Sequence, residues 1–158
     1  MHRLALALLL IASVGSAPVW ADEPPQVPLD RVWCVDIAVG AFTAPLGLGL
    51  TREVVRDAVE VALRTRIPKL AIMVTCPDAL RVILVLATSS PTVFYGVADL
   101  TILRRAIIVD TGEFSRAEAW RTTFVLYGPV ADTRRHLVDV IETMIERFAR
   151  EREANGDR

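Results

Sequence analysis

The sequence predicts an α+β fold: a two-layer sandwich with two helices on one face of a mostly antiparallel sheet of about five strands. Three observations predict it. Two stretches, around residues 51–66 and 132–151, repeat apolar residues at helical spacing. Five others are short apolar or alternating runs bounded by Pro, Gly, Ser and Asp. Their order, β-α-β-β-β-β-α, places runs of strands beside segregated helices rather than alternating with them.

The chain opens "MHRLALALLLIASVGSAPVWADEPPQ". Arg3 precedes an apolar run from Leu4 to Ala12, then small and helix-breaking residues, then Val19-Trp20-Ala21. This is the pattern of a secretory signal peptide over residues 1–21, cut after Ala21. The run is too short for a spanning helix. The expected location is therefore the periplasm or outside the cell. Residues 22–30, rich in proline, read as an extended linker. Residues 31–150 read as a single α+β domain and 151–158 as a charged, disordered tail. About 137 residues remain after the cut, enough for one domain with a real core.

Within the domain, "RVWCVDIAV" alternates, with Trp33, Val35, Ile37 and Val39 on one face. Thr51 is placed to cap the first helix, and Leu50 to staple onto Val55. Pro68 stops that helix. "KLAIMVT" and "RVILVLAT" follow as nearly continuous apolar strands, which suggests a central position or cover on both faces. A long strand spans residues 92–110. Its apolar pattern changes phase beyond Arg104-Arg105, as at a bulge. "AEAWRTTFVLY" is the last strand. Pro129 breaks it, and Asp132 is placed to cap a final helix whose stripe is Leu137, Ile141, Met144, Ile145 and Phe148.

Several segments resemble chemical motifs. "VDTG", with Asp110, resembles the catalytic segment of retroviral-type aspartic proteases. That chemistry needs two aspartates sharing a proton, hence a homodimer here. The resemblance fails at Glu113, where the family has a small residue, and downstream. Asp-Thr-Gly between two strands has a local explanation, with Asp capping a turn and Gly112 taking positive φ. "PLGLGLT" lies where phosphate loops lie, but lacks both the dinucleotide fingerprint and the lysine of a P-loop. His136 is the only histidine after the cut, too few for a usual zinc site. No Gly-x-Ser-x-Gly is present. No cofactor, metal or catalytic residue is expected. The net charge of −1 gives no basic excess for nucleic acid.

The expected function is therefore that of an exported, non-enzymatic envelope domain working through protein–protein contacts, with another envelope protein or with itself. A small-molecule or lipid-binding periplasmic carrier is the alternative, favoured by the leucine-rich loop and the wide apolar helix face. No transmembrane anchor is expected in the mature chain. The candidate partner surface is the outer sheet face, with Arg104, Arg105 and Arg121 as an anion-receiving cluster and Tyr95 and Val97 as apolar contacts.

Cys34 and Cys76 are the only cysteines. An even count in an exported protein favours pairing. Geometry favours the opposite. A helix between the first two strands makes them parallel, so Cys34 at one start and Cys76 at the other end stand about 15 Å apart. A disulfide needs Cα atoms within about 7 Å. The reading favours no bond, unless an antiparallel arrangement or a large stagger brings the two together.

Overall fold

The apolar periodicities sort into seven regular elements in the computed structural model, which describes residues 28–156. They are β1 (Cys34–Thr43), α1 (Arg52–Arg66), β2 (Ala71–Ile72), β3 (Ala79–Ser90), β4 (Val93–Ile107), β5 (Phe114–Pro129) and α2 (Thr133–Gly156). The sheet runs β2-β1-β3-β4-β5. β1 is parallel to both β2 and β3, while β3–β4 and β4–β5 are long antiparallel hairpins. This is the expected α+β sandwich with a mostly antiparallel sheet. The expected leader, its expected cut after Ala21 and most of the expected 22–30 linker lie outside the described residues.

Both helices bury their stripes on one face. α1 contributes Val55, Val59, Ala62 and Leu63. α2 contributes Leu137, Ile141, Met144, Ile145 and Phe148, the stripe read in the sequence. Beneath them lie the inward positions of the strands: Val35 and Ile37, then Leu80, Val82, Leu84 and Leu86, then Phe94, Ala98, Leu100 and Ile102, then Trp120 and Leu126. The Thr51 hydroxyl accepts from the Val54 N–H at 3.3 Å and starts α1 where expected. Gly96 is required by close approach: a Cβ there would stand 2.2 Å from the Val85 carbonyl oxygen.

The strand read at residues 69–75 shrinks to β2. After Ile72 the chain turns, the Cys76 N–H donating to the Met73 carbonyl at 3.2 Å. It then crosses from one side of β1 to the other. Asp78 reaches the start of β1, where its carbonyl accepts from the Asp36 N–H at 2.9 Å. That crossing carries Cys76 past Cys34, and the two form a disulfide with Cα atoms 5.9 Å apart. The expectation of no bond is corrected. The parallel β1–β2 pairing was right, but Cys76 lies in the return crossing and not at the far end of a strand.

Other corrections follow from packing. Trp33 shares a face with Val35 and Ile37 in the strand pattern but is 60% exposed, because Val32, with Leu29 from a 3-10 turn at Leu29–Arg31, fills the core at that end. The 22–30 linker therefore meets the domain before residue 30. Residues 151–156, read as part of a disordered tail, extend α2, held by Arg152 Nε donating to the Val32 carbonyl and by the Trp120 indole donating to Glu151. Asp132 sits in a 3-10 turn, Val130–Asp132, that precedes α2. The bulge near the paired arginines is real but lies on β5. There Ala119 is the extra residue opposite the Ile102–Leu103 step.

Asp110-Thr111-Gly112 makes the β4–β5 turn. The Ile108 N–H donates to the Glu113 carbonyl, and the Gly112 N–H donates to the Ile108 carbonyl at 2.7 Å. Gly112 takes φ +69°, as its type allows. The side-chain bond in this turn is Thr111's, whose hydroxyl accepts from the Glu113 N–H. Asp110 points into solvent and is not the capping residue.

Candidate interaction surface

The face of the sheet away from the helices carries the odd-numbered positions of β3, β4 and the C-terminal half of β5. Register aligns them in rows: Val85, Val97 and Val125 in one, and Ala87, Tyr95 and Tyr127 in the next. Val125 is 78% and Tyr127 68% exposed. With Gly96 and Leu126 these residues line a shallow depression of about 340 Å³. Tyr95 and Val97, expected on this surface, are on it. Val85 and Tyr127 join them. The continuous apolar run of β3 suggests a central position or cover on both faces, and the first holds. In the described residues its outer side is bare at Val85, and its apolar character reflects its place in the middle of the sheet.

Beside the apolar rows lies a polar band. Asp99 is only 3% exposed although it faces outward. Thr101 Oγ1 donates to its Oδ1 at 2.8 Å. Arg121 Nε and Thr123 Oγ1 donate to Oδ2 at 2.6 and 2.8 Å. Burial alone would raise the Asp99 pKa, but the hydrogen bonds from Arg121, Thr101 and Thr123 outweigh it and hold the carboxyl below its ordinary value. Arg81 occupies the adjoining strand, opposite Thr101, and its Nε is buried without a partner among the described residues. Sequence reading missed this band. A lone aspartate inside the apolar run "FYGVADLTIL" was the signal, since an ionised side chain there needs donors.

The three arginines expected to cluster do not. Arg104 turns toward the crossing segment, its Nε 3.2 Å from Asp78 Oδ1 and its Nη1 3.5 Å from the Pro28 carbonyl. Arg121 is committed to Asp99. Arg105 lies over the Phe114 ring at 3.5 Å and directly opposite Arg116. Alternation along β4 sends adjacent arginines to opposite faces, and the register puts Arg121 opposite Thr101, four residues from Arg105. Arg105, Phe114, Ser115 and Arg116 line a second depression with Pro77 at its wall.

The remaining motif residues have structural roles. In the "PLGLGLT" loop Leu48 and Leu50 are buried and Gly49 takes φ +61°. Arg52 Nη1 closes that loop by donating to the carbonyls of Val39 and Gly40, both at 2.7 Å. His136 packs edge-on against Phe94 at 6.0 Å. Among the described residues no group of three or more His, Cys, Asp or Glu side chains is placed to hold a metal ion, and no helix is long and apolar enough to cross a membrane.

No family model matches this chain, and no curated protein matches it significantly.

Proposed function

We propose that the chain is an exported, non-catalytic domain of the cell envelope that acts by protein–protein contact through its uncovered sheet face. The observation that carries this reading is the pair of exposed rows, Val85–Val97–Val125 and Tyr95–Tyr127, on a face that no helix among the described residues covers. Contiguous apolar surface flanked by a polar band is the usual form of a contact site. Tyrosine is suited to it, offering a large rigid body and a polar tip. The leader supplies the envelope part of the proposal.

The carrier reading draws on the same depression. It is weaker, because a ligand site buries most of its ligand, and this depression is open and shallow. The space between helices and sheet is filled: Phe94, Phe148, Leu80, Leu84 and Met144 are all fully buried there.

A photo-crosslinking residue at position 127, introduced in the native host, tests the proposal. Capture of one defined envelope protein, lost when Val125 is replaced by Glu, is the expected result. Crosslinks to lipid alone, or none, would overturn it.

A further inference from the structure

Arg105 and Arg116 stand directly opposite each other on β4 and β5. The Ile108 N–H donates to the Glu113 carbonyl at 2.8 Å. Hydrogen-bonded and non-hydrogen-bonded pairs alternate along an antiparallel ladder, so Arg105 and Arg116, three rungs on, are a non-hydrogen-bonded pair. Such pairs are the closer kind, with Cα atoms about 4.5 Å apart. Both side chains leave the same face, and two like charges held this way destabilise the strand pair.

Among the described residues no acid relieves them, since neither arginine makes an ion pair. Register puts Glu113, one residue before Phe114, on the other face of the hairpin. Asp110, in the turn, makes no ion pair among the described residues. Asp78 is held by Arg104. Glu118 is the next residue of β5 on the arginines' face. Its charge is felt at Arg121, whose pKa is raised first by the hydrogen bond to Asp99 and further by Glu118.

Arg105 and Arg116 line one depression of about 380 Å³, together with Phe114, Ser115 and Pro77. Its walls are held in place. The Arg105 guanidinium carbon lies 3.5 Å from the centre of the Phe114 ring, which orients the group and keeps its N–H edge available to an anion. Pro77 sits between Cys76, in the disulfide, and Asp78, in the ion pair with Arg104.

We infer that this depression is a binding site for a phosphate group, gripped between the Arg105 and Arg116 guanidiniums. A carboxylate carries one charge and is matched by one guanidinium fork. A phosphate monoester carries about 1.5–2 negative charges at neutral pH and three acceptor oxygens, enough for two forks. Set between the arginines, it also replaces their mutual repulsion with a shared attraction. Phosphatidic acid at a membrane surface and a soluble phosphate ester offer the same group. The site lies at the other end of the β4–β5 hairpin from Tyr95 and Tyr127, and it does not depend on the contact proposed for them.

NMR of the arginine Nε–Hε groups, in chloride at constant ionic strength, tests the inference. The probes are inorganic phosphate and vesicles of phosphatidylcholine containing phosphatidic acid. Arg134 on α2, exposed and without an ion pair among the described residues, is the control for diffuse anion binding. Inorganic phosphate is expected to shift Arg105 and Arg116 together and saturably, and Arg134 far less. Arg116→Gln should bind phosphate about tenfold or more weakly. The same variant should melt no lower than wild type in chloride, because the opposed charge is gone. Vesicle binding that needs Arg116 would assign the site to a lipid headgroup. Phosphate binding without vesicle binding would assign it to a soluble ester. A response at Arg105 and Arg116 no larger than at Arg134 overturns the inference whatever the vesicles do. So does an Arg116→Gln protein that binds phosphate as wild type does, or one that melts well below it. Crosslinking from position 127 reads the other surface, so either proposal can fail while the other stands.

Discussion

Asp99 and Arg121 are joined across β4 and β5, Nε to Oδ2 at 2.6 Å, with the acid nearly sealed and the base half in solvent. Because Arg121 keeps much of its hydration, the pair itself is worth little more than a surface one. The cost lies in Asp99, whose carboxylate is tolerable there only while three donors face it. Asp99→Asn is expected to lower stability by about 1–3 kcal/mol, read as the urea midpoint at pH 7.

The same carboxyl gives a pH dependence. Its folded pKa is depressed, so it contributes stability above the unfolded value of about 3.9, and that contribution is lost as pH falls through the lower folded value. The stability difference between wild type and Asp99→Asn should therefore be constant from neutral pH down to about 5 and shrink below about 4. A difference that grows on acidification would contradict the assignment.

The disulfide closes a loop with a sequence separation of 42 residues. A cross-link of that span is worth about 4 kcal/mol by loop entropy. Cys34→Ala with Cys76→Ala should lower the thermal midpoint by well over 10 °C in a domain of this size. Iodoacetamide treatment of the unfolded, unreduced monomer should add no mass, and two adducts after reduction.

At Gly96 an alanine Cβ would meet the Val85 carbonyl. Gly96→Ala forces β3 and β4 apart at that point, for a loss of about 2 kcal/mol or more. Calorimetry reads it, with Gly47→Ala, where a Cβ meets nothing within 4 Å, as the control.

The β4–β5 turn separates its residues sharply. Gly112→Ala places a Cβ at positive φ and should cost about 1–2 kcal/mol. Asp110→Ala should fall within about 0.5 kcal/mol of wild type, less than a capping aspartate costs. Purified protein should show no pepstatin-sensitive proteolysis at low pH, since the turn geometry accounts for Asp110.

Much of this fold was legible because periodicity is local. The stripe from Leu137 to Phe148 and the cap at Thr51 needed only neighbouring residues. What was not legible depended on residues distant in sequence. Val82 and Val85 look alike in an apolar run, and only the one-sided placement of the helices separates core from surface. The arginines failed to cluster because partners far along the chain, Asp78 and Asp99, claimed two of them. Tyr95 and Val97 were readable as outward because alternation alone sends them there. The Cys34–Cys76 bond was hidden by a single error of length: a strand read as seven residues is two.

The crossing from β2 to β3 also sets an order of events. Both pairings that join β1 to the long β4–β5 hairpin run through β3, and β3 begins only after the chain has passed Cys76. In a thiol-reducing cytosol this crossing is unstapled, and the chain is some kilocalories closer to its unfolded ensemble. For a chain exported as proposed, that is the condition under which a translocation channel can thread it. Oxidation on the far side then locks the crossing, makes unfolding the harder direction, and turns passage across the membrane into a step that folding itself does not let reverse.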